Sequence, residues 1–339
     1  MKKITMQDIA DQLKISKNSV SQALTGKPGV SEETRLLVQK TAEELGYAYP
    51  SGRKNGNSGQ TGTIALLASV RAFSFKSFFG EIYLSIEKEL KSRGMNLLIL
   101  SVDNEEKETL KLPEVIEDRA VDGILILSHL TTDYINKVLD TGIPTVMIDH
   151  HDPLNHADAI LTNNRFGGYE LVKHLIDLGH REIGFIGNID YSPSYQERWE
   201  GYQLALRRHG IEPDKQWMYL QADEDEVNIH TFLSNLDQKP TAWFCVNDGL
   251  GFLTMSTLQR LGYTVPDLVS VGCFDNGQLS RIANPKITTM DIDLNLFGKK
   301  AVEQLFWRMD NKEEPFLETL LPARLVKRES VAEVSDDRK

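Results

Sequence analysis

Four polar residues of this 339-residue chain stand at the ends of strand-like apolar segments or begin the helix that follows one: Asp149, Arg198, Asn247 and Asp275. Ligands of parallel α/β sheets bind at the carboxyl ends of the strands, so these side chains are candidates to meet in one cleft. Two carboxylates, an amide and a guanidinium suit a sugar, whose hydroxyl groups both donate and accept hydrogen bonds. The alternative for each is an ordinary turn-forming or structural residue.

The other reactive side chains do not indicate catalysis. The segment Asp149–Asp152, with His156 nearby, contains metal-ligand residue types without ligand spacing anchored on a helix, and a polar loop at a cleft edge is the preferred interpretation. No Ser, Cys and His arrangement indicates a nucleophile, and no phosphate-binding glycine motif precedes a helix. Cys245 and Cys273 lie in apolar runs and are expected to be buried thiols. We therefore expect no enzyme activity, no metal and no cofactor.

A second group of polar residues lies on a predicted helix near the N-terminus. Lys17 can donate to guanine, and the amides of Asn18 and Gln22 have the geometry that reads adenine. Contacts to phosphate, which position a protein on DNA without specifying sequence, suit hydroxyl groups. The hydroxyl residues predicted to contact DNA are Thr5, Ser16, Ser19, Ser21 and Thr25. The alternative is a small helical bundle with a solvated polar face.

Three short helices are predicted to position these residues. Thr5 can cap the first helix with Asp8 in a capping-box arrangement, Ser16 can cap the second, and Ser31 can cap the third. Gly26–Gly29 must form a loop because it contains two glycines and a proline. Two helices joined by a tight turn, with exposed polar residues at the start of the second, describe a helix-turn-helix.

The charge distribution agrees with a nucleic-acid-binding head. The whole chain carries a formal charge of -11, which by itself argues against DNA binding, but residues 1–60 contain nine Lys/Arg and six Asp/Glu. A basic head can approach phosphate while an acidic body is repelled from it. No run of eighteen apolar residues and no apolar leader core are visible. We therefore expect a cytoplasmic protein that does not contact membranes.

After residue 63, strand-like runs alternate with amphipathic helices. The predicted strands are Ile64–Ala68, Asn96–Val102, Gly123–Leu127, Thr145–Ile148, Ile183–Ile186, Trp217–Leu220, Ala242–Val246 and Val269–Phe274. The predicted helices are Phe79–Arg93, Leu110–Arg119, Asp133–Asp140, Gly167–Leu178, Arg198–His209, Val227–Asn235 and Leu250–Leu261. Repeated βα units predict parallel sheets with helices on both faces, and two such series predict two lobes with a cleft between them.

Several segments of the chain resemble the lactose/galactose repressor (LacI/GalR) family. In the head they are Ile4–Ala10, Ile15–Ser21, Val30–Arg35 and Glu44–Tyr47, and in the body they are Asp177–Gly187, Arg198–Tyr202, Val246–Asp248, Ser270–Asp275 and Ile287–Met290. The resemblance spans roughly residues 3–330. It implies an α/β fold: a three-helix helix-turn-helix head and a two-lobed, periplasmic-binding-protein-like body of parallel sheets.

The resemblance also implies roles for residues. It places Lys17, Asn18 and Gln22 at base-reading positions, although relatives usually carry arginine where this chain has Gln22. It places Asp149, Arg198, Asn247 and Asp275 in the effector pocket together with Ser69 and Phe73. Relatives often stack an aromatic residue on the ligand near 221–224, where this chain has none. Asp190–Tyr195 or Phe73–Phe79 are expected to supply stacking instead. A sugar or sugar phosphate is the first expectation for the effector, and a nucleobase the second.

The linker departs from the family pattern. Ser51–Thr63 holds four glycines and no apolar residue, a flexible composition. Relatives typically carry a hinge helix there, with a leucine that kinks the DNA. Arg53 remains a candidate for a phosphate or minor-groove contact. We expect little bending of the operator.

The expected organisation is a helix-turn-helix domain at 1–49 and a linker at 50–62, followed by an N-lobe at 63–162 and 291–320. The expected C-lobe is 163–290 and 321–330, followed by a tail at 331–339. We expect a homodimer on a near-palindromic double-stranded operator, formed through the helices Phe79–Arg93 and Leu250–Leu261. The tail has no leucine heptads, so a tetramer is not expected. The alternatives are a solute-binding protein, an enzyme on the same lobes, or a nucleobase-responsive regulator.

Overall fold

The computed structural model of the chain describes residues 5–25, 29–45, 47, 61–70, 72, 76–127 and 130–334. The chain forms two compact units, Met1–Thr61 and Gly62–Lys339. Each unit has its own buried apolar core within the described residues. The two units are the head and the body expected from the sequence.

The described part of the head contains three helices, α1 (Met6–Leu13), α2 (Lys17–Thr25) and α3 (Glu32–Glu44). The predicted capping box at α1 is confirmed, because the side chain of Thr5 accepts from the backbone of Asp8 while the Asp8 carboxylate accepts from the Thr5 backbone. The predicted cap of α2 is confirmed by the 3.0 Å bond from the Ser19 backbone N–H to Ser16 Oγ. These caps satisfy N–H groups that the first turn of a helix otherwise leaves without partners. The core between the helices is built from Ile9, Ala10, Val20, Ala23, Val38 and Ala42.

Within the residues that the structure describes, the body contains two six-stranded sheets. The N-lobe sheet has the order β11-β5-β4-β3-β1-β2 and is parallel throughout. Its strands are β1 (Thr63–Ser69), β2 (Asn96–Val102), β3 (Gly123–Leu127), β4 (Thr145–Ile148), β5 (Asp158–Thr162) and β11 (Glu318–Leu321). Strands β3, β4 and β5 are buried along their whole length, as expected for parallel strands covered by helices on both faces.

The C-lobe sheet has the order β12-β10-β9-β8-β6-β7. Its strands are β6 (Ile183–Ile186), β7 (Met218–Tyr219), β8 (Ala242–Cys245), β9 (Ser270–Asp275), β10 (Thr288–Asp291) and β12 (Arg324–Val326). Edge strand β12 runs antiparallel to β10, so this sheet is not wholly parallel.

Helices cover both sheets. The helices of the N-lobe are α4 (Lys76–Ser92), α5 (Asn104–Thr109), α6 (Glu114–Glu117), α7 (Thr132–Leu139) and α13 (Leu294–Asp310). Those of the C-lobe are α8 (Asn164–Asp177), α9 (Pro193–Arg208), α10 (Glu226–Ser234), α11 (Asp248–Arg260) and α12 (Gln278–Ile282). A 3₁₀ turn, Lys215–Trp217, precedes β7.

The chain passes between the lobes three times. It leaves the N-lobe sheet after β5 and enters α8, returns from β10 to α13, and leaves again from β11 to β12. The three connections are residues 162–164, 291–294 and 321–324. They lie side by side in the structure. Movement of one lobe relative to the other must therefore act on these three connections together.

The predicted helix Leu110–Arg119 is wrong. Two short helices, α5 and α6, occupy this region, and Leu110 adopts a left-handed backbone with φ 53° that ends α5. Asp103 and Glu106 form a capping box that starts α5 early, and Pro113 disfavours a helical conformation at the residue before it. Local capping therefore outweighed the apolar periodicity.

Two other predicted elements need correction. Helix α9 begins at Pro193, not at Arg198, because Ser192 caps it and proline suits the first helical position. The predicted strand Trp217–Leu220 is reduced to the two residues of β7 after a 3₁₀ turn. Helices α12 and α13 and strands β5, β10, β11 and β12 were not predicted from the sequence pattern. Four residues of the expected tail, 331–334, pack on the C-lobe, where the Val334 backbone N–H donates to Leu178 O at 3.0 Å.

Candidate functional site

A cavity of about 480 Å³ lies between the two lobes. Asp149, which follows β4, lines it from the N-lobe, and Arg198, Asn247 and Asp275 line it from the C-lobe. The structure thus brings together the four residues that stood at strand ends or on the following helix. The volume lies within the ~300–1,000 Å³ that proteins use for small-molecule ligands.

Arg198 is the buried centre of the C-lobe wall, with 2% of its surface exposed. Its Nε donates to Asn164 Oδ1 at 2.9 Å, and its Nη1 donates to the carbonyl of Val246 at 2.8 Å. Its Nη2 lies 2.9 Å from Asp275 Oδ1 as an ion pair, and its guanidinium lies 3.9 Å from the ring centre of Phe274. These contacts fix the guanidinium plane and leave its other N–H groups for a ligand.

Close packing of α9 on α8 places Arg198 at this depth. A Cβ atom at Gly201 would lie 2.2 Å from the carbonyl oxygen of Arg165, and one at Gly168 would lie 2.6 Å from that of Arg198. Both clashes involve backbone, so neither can be relieved by moving a side chain. Glycine at both positions is therefore what allows the two helices to approach, and larger residues would push Arg198 out of its place.

Asp149 and Asp275 have left-handed backbones, with φ of 54° and 86°. Such a conformation costs about 1–3 kcal/mol for residues other than glycine, and it concentrates at functional sites. Burial raises the pKa of Asp149 to about 7, although the Arg198 charge acts in the opposite direction. Burial also raises the pKa of Asp275, again against the effect of Arg198. The strain turns both carboxylates toward the cavity.

Asn247 links the cavity wall to α11. Its Oδ1 accepts from the Leu250 backbone at 2.8 Å and caps the helix, while its Nδ2 donates to Tyr195 Oη and to Glu224 Oε1, each at 2.7 Å. Both N–H groups of the side-chain amide therefore have partners in this arrangement. The side chain sets the positions of Tyr195 and Glu224, and a ligand that accepts from Nδ2 must displace one of them.

Sequence reasoning missed four charged residues of the cavity lining, Glu81, Glu224, Asp248 and Arg281. Burial, followed by the charge of Asp275, raises the pKa of Asp248 to about 7. The position of Asp248 directly after Asn247, at the end of a strand, was the available signal. In the sequence, Glu224 stands out only as part of a segment without an aromatic ring.

The expected alternative sources of aromatic side chains do line the cavity. Tyr191 and Tyr195 lie with ring centres 5.3 Å apart on the C-lobe side, and Phe78 and Phe79 lie with ring centres 5.0 Å apart on the N-lobe side. These flat apolar surfaces suit the apolar face of a sugar ring or a base.

Two of the candidate effector residues, Ser69 and Phe73, do not belong to the described cavity lining. Ser69 is 1% exposed, does not line the cavity, and accepts from the Ala72 backbone N–H at 3.1 Å, so its hydroxyl group closes a turn after β1. This geometry does not support the expected contact from Ser69. Phe73 lies outside the described residues.

The histidine-containing segment Asp149–Asp152 forms ion pairs in this structure. His151 Nε2 lies 3.1 Å from Glu197 Oε1, and its Nδ1 lies 3.2 Å from Glu318 Oε1. No group of three or more potential metal ligands occurs among the described residues. Hydrogen bonding to Glu197 raises the pKa of His151 to about 9, so the ring is a cation at neutral pH.

The second candidate site is the start of α2 in the head. Ser16, Lys17 and Asn18 are exposed there, whereas Val20 and Ala23 of the same helix are buried. Ser16 Oγ accepts from the Ser19 backbone and lies 2.8 Å from Ser19 Oγ, so these hydroxyl groups also form the helix cap. An exposed, positively charged helix start is the part of a helix-turn-helix that enters the major groove.

The other predicted DNA contacts are more varied. Ser21 and Gln22 are half-buried, and the Gln22 amide lies against the loop, since a Cβ atom at Gly29 would be 2.9 Å from Gln22 Oε1. Thr5 is exposed and belongs to the capping box of α1. The side chain of Thr25 and all of Arg53 lie outside the described residues, as does most of the linker.

The geometry describes a helix-turn-helix joined in one chain to a two-lobed ligand-binding body. The family model "Bacterial regulatory proteins, lacI family" matches residues 5–50, and a periplasmic binding protein-like domain matches residues 172–331. A ribose operon repressor of Haemophilus influenzae is 30% identical, over 96% of this chain and 98% of its own length. The PurR transcriptional repressor of Vibrio vulnificus is 28% identical, over 98% of this chain and 99% of its own length.

A solved structure gives the same result. The complex of the transcriptional regulator CelR with cellobiose has a TM-score of 0.72 and 26% identity, covering 96% of this chain and 99% of that one. The chain belongs to the lacI family of bacterial regulatory proteins, which confirms the resemblance drawn from its motifs. It is a DNA-binding transcriptional regulator. In the described part of the chain, no helix combines the length and apolarity that a bilayer crossing requires.

Proposed function

We propose that this protein is a cytoplasmic repressor that binds a near-palindromic operator as a homodimer, and that a sugar bound between its lobes controls its affinity for DNA. The observation that carries the proposal is the 480 Å³ cavity, in which Arg198 and three strand-end polar residues meet aromatic surfaces from both lobes. The body binds its ligand without turnover in this proposal. Full-length relatives with matching heads are repressors, one of them of a ribose operon.

In the head, Lys17 and Asn18 read base edges from the exposed start of α2, and Gln22 reads or supports an adjacent position. Hydroxyl groups of the neighbouring serines contact phosphate. A homodimer supplies two such heads, which matches the two-fold symmetry of a palindromic operator. Helices α4 and α11, one from each lobe, are the proposed dimer faces.

The charge of the cavity narrows the effector class. Among the described lining residues, five are carboxylic acids and two are arginines: Glu81, Asp149, Glu224, Asp248, Asp275, Arg198 and Arg281. Arg198 is already paired with Asp275, and Arg281 is exposed. Carboxylates accept hydrogen bonds from sugar hydroxyl groups but repel phosphate. A sugar without phosphate or carboxylate is therefore preferred over the sugar phosphate that the sequence left open.

Selection from random duplex DNA at fixed salt tests the repressor itself, because phosphate contacts make affinity salt-dependent. We expect enrichment of a palindrome with one half-site for each head. Lys17→Ala and Asn18→Ala should each relax the preference at one base pair per half-site by ~1–3 kcal/mol. Binding that depends on salt but enriches no sequence would contradict the proposal.

Thermal shift and calorimetry with matched ligands test the effector class. The probes are neutral mono- and disaccharides, their 6-phosphates, the corresponding uronic acids, and the nucleobases hypoxanthine and guanine. We expect stabilisation by one or more neutral sugars and by none of the anionic ones. Preferential binding of a phosphate or a nucleobase would instead support those classes.

A charge-neutralising variant sharpens this test. Asp248→Asn removes an interior carboxylate at nearly constant shape and should strengthen binding of the phosphorylated form of the best neutral sugar about tenfold, ~1.4 kcal/mol. Asp237→Asn makes the same change at an exposed position before β8 and should leave the discrimination unaltered.

A further inference from the structure

Two adjacent residues of α9 point to different parts of the molecule. Arg198 lines the effector cavity, whereas Glu197 reaches the N-lobe, where its Oε1 lies 3.1 Å from His151 Nε2. His151 belongs to the loop after β4 of the N-lobe, so this ion pair joins the lobes directly. Both side chains are half-buried, with 20% and 28% of their surfaces exposed, which reduces screening by solvent.

The same two residues hold the connections between the lobes. Glu197 Oε2 accepts from Asn164 Nδ2 at 3.1 Å, and Asn164 is the first residue of α8, directly after the first connection. His151 Nδ1 lies 3.2 Å from Oε1 of Glu318, which is the first residue of the strand leading into the third connection. Two of the three connections are therefore tied to one interlobe ion pair.

Asn164 connects the interlobe ion pair to the cavity residue Arg198. Its Oδ1 accepts from Arg198 Nε at 2.9 Å, and its Nδ2 donates to Thr162 O and to Glu197 Oε2. Asn164 is 2% exposed, so water cannot replace a lost partner at low cost. A ligand that shifts the Arg198 guanidinium must therefore move Asn164 or break one of its hydrogen bonds.

We propose that Arg198, Asn164, Glu197, His151 and Glu318, here called the hinge relay, couple effector binding to the angle between the lobes. This inference rests on the proposed function, since the relay begins at the effector-binding arginine. The Glu197–His151 pair holds the arrangement seen here, and the effector acts by changing the partners of Arg198. A ligand shifts such an equilibrium only through contacts that differ between the two arrangements.

The electrostatics around His151 support this role. The ring faces Glu197 and Glu318, with Asp149 near it and His150 and Asp152 as its neighbours in the chain. Acidic groups outnumber the single neighbouring histidine, so the contacts are charge-assisted at neutral pH. Charge-assisted hydrogen bonds are roughly twice as strong as neutral ones.

The matched variants are Glu197→Gln and Glu200→Gln in the full-length protein. Glu200 lies on the same helix and pairs with Arg165, but both of these residues belong to the C-lobe. The first readout is hydrogen exchange without ligand or DNA. We expect exchange at least threefold faster in residues 158–166 and 316–326 of Glu197→Gln, and unchanged exchange in Glu200→Gln.

The second readout is the ratio of operator affinities with and without the best neutral sugar. Glu197→Gln should reduce this ratio threefold or more, and Glu200→Gln should preserve it. The double variant Glu197→Gln/His151→Gln should reduce the ratio little more than either single variant does. Unchanged exchange at the connections in a folded Glu197→Gln protein overturns the relay, whatever the sugar does. Loss of the sugar response in the unaltered protein, with exchange behaving as expected, would contradict the proposed effector instead.

Discussion

Among the described residues of the body, two buried arginine–aspartate pairs, one in each lobe, differ in how completely their hydrogen bonds are made. In the N-lobe, Arg308 donates from Nε to Asp158 Oδ2 at 2.6 Å and from Nη2 to Oδ1 at 2.9 Å. The carboxylate also accepts from the Leu317 backbone, and Arg308 donates to four backbone carbonyls after α13. Every nitrogen of this guanidinium has an oxygen partner.

In the C-lobe, the Arg198–Asp275 pair is incomplete. Only Nη2 of Arg198 reaches the Asp275 carboxylate, and the 2.9 Å contact with Oδ1 lacks the angle of a hydrogen bond. The Asp275 side chain is 17% exposed, whereas that of Asp158 is fully buried. The same two residue types thus form a closed structural clamp in one lobe and an open, ligand-facing pair in the other.

Residue type and burial alone therefore do not identify a ligand-binding site. Asp275 combines a left-handed backbone, a raised pKa and an unfilled hydrogen-bonding position. A buried charge that keeps unused hydrogen-bonding capacity is costly, and its retention is most simply explained by a ligand.

Removing the arginine of the N-lobe pair should reduce the free energy of unfolding more than any other change proposed here. Arg308→Met leaves the Asp158 carboxylate buried without its cation and should reduce the free energy of unfolding by ~3–5 kcal/mol. Urea denaturation of the full-length protein measures this. Effector affinity of the folded fraction should change little, because the clamp lies outside the cavity lining.

Arg324→Met is the surface control for this prediction. Arg324 pairs with Asp291 at 3.0 Å but is 83% exposed. Surface pairs of this kind contribute ~0–1 kcal/mol, so the loss should be small. Equal losses in the two variants would contradict the distinction between the buried clamp and a surface pair.

The next effect concerns the open pair. Arg198→Met should weaken effector binding by about 3 kcal/mol, more than a hundredfold, since truncating one partner of a buried charged contact costs ~2–5 kcal/mol. Its loss of unfolding free energy should be smaller than that of Arg308→Met, because Asp275 can bind a proton as its pKa is already raised. Calorimetry and urea denaturation of both variants give the two numbers. A larger stability loss at Arg198 than at Arg308 would reverse the assigned roles.

The next prediction is a pH dependence of the free energy of unfolding that arises from Asp149 and Asp248. The folded-state pKa values of Asp149 and Asp248 are raised to about 7, so the folded protein binds more protons than the unfolded chain between pH 4 and 7. Stability therefore falls as pH rises through this window, by at most ~1.4 kcal/mol per pH unit for each group. Asp248→Asn should flatten the pH dependence of the unfolding free energy, measured by urea denaturation at several pH values. An unchanged slope would count against a raised pKa of Asp248.

His151 contributes to the pH dependence with the same sign, in a more alkaline window. Its folded-state pKa, about 9, lies above its ordinary value of 6.5, so its stabilising effect is complete below pH 6.5 and is lost as pH rises through 9. His151→Gln should remove that alkaline loss, measured as the unfolding midpoint between pH 7 and 10. A midpoint curve that keeps its alkaline decline in this variant would assign the decline to other groups.

The head, the alternation of strands and helices in the body, and four of the cavity residues could be predicted from the amino-acid sequence. Helix caps at Thr5 and Ser16 depend on neighbours three residues away, and strand ends follow directly from apolar runs, so local reading was sufficient. Apolar periodicity alone predicts the wrong helix at Leu110–Arg119, because the capping box at Asp103 and the proline at Pro113 set the helix ends there.

The sequence did not predict which polar residues face each other, because that depends on tertiary packing. Glu197 and His151 lie 46 positions apart, and Arg308 and Asp158 are 150 positions apart, so their pairing depends on how α9 and α13 dock rather than on any local pattern. The chain passes three times between the lobes, which brings distant segments together at the connections. This contact geometry is set by packing across the whole body. The sequence therefore indicates the candidate residues, and the fold determines whether each lies in the cavity, in the Arg308–Asp158 clamp or in the hinge relay.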